Sequence, residues 1–197
     1  MTGLPAGVEP EGPVVALPIY AGVSELELGI MVTVCRLCGG EGATRTVNRS
    51  RASIVTAGGL VGTPHVLYAA LPEPAGLLVP GGPGAAKAAR DPLLRDFLTR
   101  HAALPTGASG SGLLLLGDAG LLRERVVGGP TDLADTLWGY GPADVRPGQT
   151  VTDGPLTSTP SGFPALHAAL AVAAQVWGEE AARDAMRRLG ALERTER

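Results

Sequence analysis

What most constrains this 197-residue chain is a rhythm of short apolar runs, each stopping at a glycine-bearing turn and followed by a longer amphipathic stretch. The runs 14–20 (VVALPIY) and 75–80 (AGLLVP) are apolar at almost every position, as suits strands buried on both faces. After the first comes the turn Ala21-Gly22, then Ser24 as an N-cap with Glu27 three residues on, a capping-box pattern. The helix it opens is expected to reach about Leu37 and to stop at Gly39-Gly40. Further strands are expected at 44–48, 53–56, 104–109 and 125–127, with an edge strand or hairpin at 144–151. Helices are expected at 85–101, 113–122, 131–138, 161–177 and 179–189. Such alternation implies a mostly parallel sheet with helices on both faces, a three-layer α/β sandwich.

The length suits one domain, read as 13–190, between a disordered tail (1–12) and a charged C-terminal tail (191–197). Residues 1–13 lack the basic and apolar segments of a signal peptide. The apolar stretches 112–122 and 165–177 fall short of the roughly 20 residues that cross a bilayer. A cytoplasmic protein with no membrane contact is expected. A net charge of −3, with only short arginine clusters at 45–51 and 183–188, argues against nucleic acid as a partner of this chain alone. Cys35 and Cys38 form a Cys-x-x-Cys near the end of the first helix. No second pair completes a metal site, and a redox motif would sit at a helix N-terminus, so both read as core cysteines.

In parallel sheets ligands bind beyond the carboxyl ends of the strands. Attention therefore falls on the junctions at Gly22, at Gly81-Gly82 and at 109–112. Three segments there, GVSELELG (22–29), LLVPGGPGA (77–85) and SGSGLLLLGDAGLL (109–122), together with TDGPLTSTPSG (152–162), resemble the ThiJ/PfpI superfamily. That superfamily is related to class I glutamine amidotransferases and includes the parkinsonism-associated deglycase and isonitrile hydratase groups. The resemblance runs in unbroken order from about residue 14 to 189 and implies a flavodoxin-like fold and a homodimer. In the family a strained elbow between strand and helix exposes a nucleophilic cysteine. Counting back from Ala119-Gly120-Leu121-Leu122, that position is Gly110 here, and the position of the family's histidine is Gly129. The family's acidic residue is retained as Glu27.

Glu27 has two readings, a capping-box glutamate or a carboxyl that anchors a ligand or works as an acid or base. Gly81 and Gly82 are needed for a tight turn, and their N–H groups could also line an oxyanion hole. Gly110 is either neutral drift or a gain of volume beside Glu27, exposing helix N–H groups, with Gly129 widening the same region. Ser109 and Ser111 flank the elbow and are read chiefly as helix-capping; a nucleophilic role would need a base, and His65, His101 and His167 all lie elsewhere. Thr157 and Ser158 are read as turn residues, and Trp138 and Trp177 as packing or interface residues. The expected ligand-binding set is Glu27, Gly81, Gly82, Gly110 and Ser111, with no cofactor and no metal. The functional expectation is a small-molecule-binding, sensor or stress-related domain lacking the nucleophile. The alternative is a hydrolase, hydratase or lyase using Ser109 or Ser111 with Glu27.

Overall fold

The computed structural model describes residues 12–190, so the expected tails at 1–12 and 191–197 lie outside the described residues apart from Gly12. Elements follow in the order β1 (Val15–Pro18), α1 (Glu25–Gly39), β2 (Thr44–Asn48), β3 (Ile54–Val55), β4 (Val61–Gly62), β5 (Val66–Leu67), β6 (Gly76–Val79), α2 (Ala85–Ala88), α3 (Pro92–Arg100), β7 (Thr106–Ser109) and α4 (Gly112–Asp118). The chain continues through β8 (Val126–Gly129), α5 (Ala134–Trp138), β9 (Asp144–Pro147), β10 (Val151–Asp153), β11 (Leu156–Thr159), α6 (Ala165–Trp177) and α7 (Glu179–Arg188).

Seven strands make the central sheet, in the order β10-β11-β7-β6-β1-β2-β5. All neighbours pair in parallel except the β10–β11 hairpin at one edge. Side chains alternate between the two faces, as the period of a strand requires. Val15, Leu17 and Leu78 face Met31, Val34 and Cys35 of α1 and Ala165, Ala169 and Val172 of α6. Ala16, Leu77 and Val79 face Leu94, Phe97 and Leu98 of α3 and Leu113 and Leu116 of α4. The architecture is thus the expected flavodoxin-like three-layer sandwich, with apolar cores on both sides of the sheet. From β1 the chain moves outward to β2, whereas β6 and β7 lie on the other side of β1. The crevice between the ends of β1 and β6 is the topological switch point, where such sheets place their ligands.

Three local differences have clear causes. The expected helix 85–101 is two helices, because Asp91 caps a new one through its side chain (Leu93 N–H to Oδ1, 3.0 Å) and Pro92 stands at its first turn. Residues 54–55 leave the central sheet and pair antiparallel with 61–62 in a separate hairpin. The two-residue strand β5 carries no pattern of its own and is held by pairing with Val47 and Asn48. Cys35 lies in the core and Cys38 is half-buried with its Sγ against the Ala181 carbonyl (3.5 Å), and neither forms a disulfide. Burial pushes both thiols above the ordinary cysteine value, as for packed side chains.

Candidate functional site at the elbow

Glu27 stands in the first turn of α1, and Ser24 caps that turn by accepting the Glu27 N–H at 3.3 Å. The reciprocal half of a capping box is not made. Instead the Glu27 carboxylate turns into the switch-point crevice. Its Oε2 accepts the Gly81 N–H at 2.6 Å and its Oε1 accepts the Gly162 N–H at 2.8 Å. The Ser24 N–H that a capping box would have used donates to the Gly81 carbonyl at 2.8 Å. One carboxylate, 2% exposed, therefore ties together the ends of β1, β6 and β11. Such a position is expensive for a charge unless its oxygens are hydrogen-bonded, and here both are. Beside it Tyr20 is buried and donates its hydroxyl to the Pro80 carbonyl at 2.8 Å. Burial, and then the charge of Glu27, push that phenol well above its ordinary value, so it stays a neutral donor.

Gly110 joins β7 to α4 with φ +56°, in the left-handed region that other residues enter only with strain. The backbone of a strand–elbow–helix is thus present. A Cβ built at Gly110 would overlap Ser161 Oγ and lie 3.1 Å from Ser161 Cβ and 3.2 Å from Glu27 Oε1. The expectation that this glycine opens space beside Glu27 is therefore corrected, because Ser161, from the turn after β11, fills that spot. Gly129 does not widen the region either: a Cβ there would meet Leu113 Cδ1 at 2.9 Å and Leu137 Cδ1 at 3.0 Å. Of the amides at this junction, the Gly110 N–H donates to the Thr159 carbonyl at 3.0 Å and the Leu113 N–H to the Gly110 carbonyl at 3.2 Å.

The remaining expected residues meet here with altered roles. Gly82 needs its glycine: φ is +137°, and a Cβ would fall 2.5 Å from the Ser24 nitrogen and overlap the Gly22 carbonyl oxygen. Its N–H donates to Ser111 Oγ at 2.9 Å, and the Gly81 N–H is taken by Glu27, so both donors of the expected oxyanion hole already have acceptors. The Ser111 hydroxyl also lies 2.9 Å from the Gly82 carbonyl, to which it donates. Ser111 occupies the N-cap position of α4, yet its side chain makes no capping bond there. Ser109 is fully buried and donates to the Pro160 carbonyl at 3.0 Å.

No histidine comes to the site. His65 Nδ1 accepts the Thr46 N–H at 3.0 Å, His101 packs edge-on against Phe97, and His167 is exposed on α6. Thr157 and Ser158, expected in a turn, lie inside β11. Thr157 pairs with Thr152 (Oγ1 to Oγ1, 2.9 Å), and Ser158 Oγ accepts the Gly128 N–H at 2.8 Å. Trp177 packs over Gly39, while Trp138 is half-exposed on α5. A groove of about 400 Å³ between α6, α7 and Thr152 is lined by none of the elbow residues.

Sequence reasoning missed Tyr20, Ser161 and Gly162. The signal for the last two was the Pro160-Ser161-Gly162 turn directly after a strand, overlooked in favour of Thr157 and Ser158.

No family model and no curated protein sequence matches the chain. Its fold, however, is well represented among solved structures. A THiJ/PfpI family protein from Pseudomonas syringae superimposes with a TM-score of 0.81 at 21% identity, over 98% of this chain and 79% of the other. Drosophila melanogaster DJ-1beta gives 0.82 at 18% identity, over 90% and 97%. A mutant of a DJ-1 superfamily protein from Salmonella typhimurium gives 0.75 at 23% identity, over 90% and 98%. The chain has the fold of the ThiJ/PfpI and DJ-1 proteins.

Proposed function

We propose that this chain is a ThiJ/PfpI-type domain whose elbow lacks the nucleophile, and that it binds a small molecule without covalent chemistry, as a sensor or stress-related module. The contact region is the rim made by Gly82, Ser111, Ser161 and Gly162 above Glu27, Gly81 and Gly110. One observation carries this reading. The elbow keeps its left-handed backbone and its carboxylate, while Gly110 brings no side chain and the flanking hydroxyls of Ser109 and Ser111 are spent on backbone oxygens. A serine nucleophile needs a base within hydrogen-bond reach, and the three histidines lie elsewhere. The alternative pairs Ser109 or Ser111 with Glu27, whereas both hydroxyls donate to backbone carbonyls and not to that carboxylate.

The test is a thermal-shift screen of a metabolite library. A ligand at a hundred times its Kd raises native-state stability by about 2.7 kcal/mol. The expected result is a hit whose shift is lost in Glu27→Gln. A library with no binder, or turnover that disappears in Ser111→Ala, overturns the proposal.

Assembly as a homodimer, which the family resemblance implies, belongs to the same proposal, as does a cytoplasmic location. The exposed apolar residues Leu26, Val55, Leu60 and Val61 on the β3–β4 hairpin and α1 are the face on which a second copy would sit. Among the described residues no helix is long and apolar enough to cross a membrane.

A further inference from the structure

Ser161, Glu27 and the nearby-in-sequence Phe163 converge on one kind of ligand. Ser161 is exposed, and its hydroxyl has no hydrogen-bond partner among the described residues. Its oxygen overlaps sterically with a Cβ built on Gly110, and Glu27 Oε1 lies 3.2 Å from that Cβ position. The carboxylate below takes one N–H on each oxygen, which leaves acceptor capacity on both. Among the described residues it enters no ion pair. Finally, Phe163, two residues beyond Ser161, is 76% exposed and makes no ring contact among the described residues.

We propose that Ser161 is the ligand-facing hydroxyl of the site, and that Ser161, Glu27 and Phe163 together take a small primary ammonium compound. An ammonium group supplies three donors and no acceptor. It answers a carboxylate oxygen and a hydroxyl oxygen at once, and an exposed aromatic face attracts the same cation. A carboxylate or phosphate ligand would instead meet the Glu27 charge, which pairs with no cationic side chain among the described residues. Access follows from one rotatable bond: turning Ser161 about χ1 moves its Oγ away from Gly110, a motion of picoseconds to nanoseconds for an exposed side chain. The site thus has a hydroxyl supplied across the sheet, from the loop after β11, in place of one carried by the elbow itself.

This proposal rests on the binding-domain reading above and narrows it to one ligand class. Calorimetric titration with propylammonium, propan-1-ol and propionate, matched in size, tests it. Propylammonium is expected to bind at least about ten-fold tighter than the alcohol, as a hydrogen bond to a charged group outweighs a neutral one. Propionate is expected to show no saturable heat. Ser161→Ala weakens propylammonium by about three- to ten-fold with an unchanged melting temperature, and Ser161→Thr restores it. Phe163→Ala weakens the ammonium more than the alcohol. Equal affinity of Ser161→Ala and the parent, absence of propylammonium binding, or propionate binding as well as propylammonium overturns the proposal. If the library then yields another ligand that is lost in Glu27→Gln and indifferent to Ser161→Ala, the binding-domain reading stands and only the amine assignment falls. If it yields none, both fall.

Discussion

At Gly82 a single added methyl group has nowhere to go. The backbone sits at φ +137°, and the atoms a Cβ would strike belong to the main chain of the β1–α1 loop, which cannot swing aside. Gly82→Ala is therefore expected to cost about 2–4 kcal/mol, the range for a strained backbone combined with overpacking. Calorimetry would show it as a fall in melting temperature, and an unchanged transition would mean that this turn is not built as described. Gly110 differs in kind. Its φ of +56° penalises alanine by about 1–2 kcal/mol, but the nearest obstacle is the rotatable tip of Ser161. Pairing Gly110→Ala with Ser161→Gly should return the steric part of the loss and leave the backbone part. A double-mutant cycle by chemical denaturation measures that coupling, and additivity of the two changes would refute the overlap.

At the scale of elements, the first turn of α1 does two jobs. Ser24→Ala is expected to cost about 1 kcal/mol, as for other N-caps, without touching the carboxylate bonds that Glu27 makes across the crevice. A second element-level effect lies at the β2–β5 edge. Burial, then Arg45 and Arg51, hold His65 below the ordinary histidine value, and its Nδ1 accepts the Thr46 N–H. The folded chain keeps this ring neutral while the unfolded chain protonates it near pH 6.5. Below that pH the unfolded state binds the extra proton, so stability falls as pH drops from about 6.5 toward the lower folded value. His101, lowered by burial and Arg100 against an opposing Glu73, acts in the same direction. Urea midpoints at pH 7 and 5.5 should show the loss, and His65→Gln should shrink it.

Which elements were legible in the sequence follows from where their information resides. β1, β6 and α1 were readable because apolar runs, a cap and glycine stops are local signals. The split at Asp91-Pro92 was equally local and was missed because the apolar stripe Leu93, Leu94, Phe97, Leu98 drew one continuous helix over it. β5 was not readable, since two residues acquire strand geometry only from their neighbour. Glu27, Gly81, Gly82, Gly110 and Ser111, expected to share a site, lie close together in the fold. Their hydrogen bonds were not foreseeable; the turn carrying Ser161 was, but its closeness to Gly110 exists only once β11 lies beside β7.

For the whole molecule, the hairpin of β3 and β4 stands off the central sheet and presents Val61, 71% exposed, beside Leu60 and Val55. If two copies meet there, Val61→Asp forces a charge into the contact, and burying an unpaired charge costs several kcal/mol. Sedimentation velocity is expected to show a dimer for the parent chain and a monomer for the variant, each with a native melting profile. A parent that sediments as a monomer removes this face from consideration. The Glu27 carboxylate has a molecular reach of its own, binding amides 54 and 135 residues away along the chain. Contacts of that separation form only after most of the loop-closure entropy has been overcome. The amides of Gly81 and Gly162, remote in sequence and without a common element, therefore share one clock: in deuterated solvent they should exchange together, at the rate at which a single side chain lets go of both.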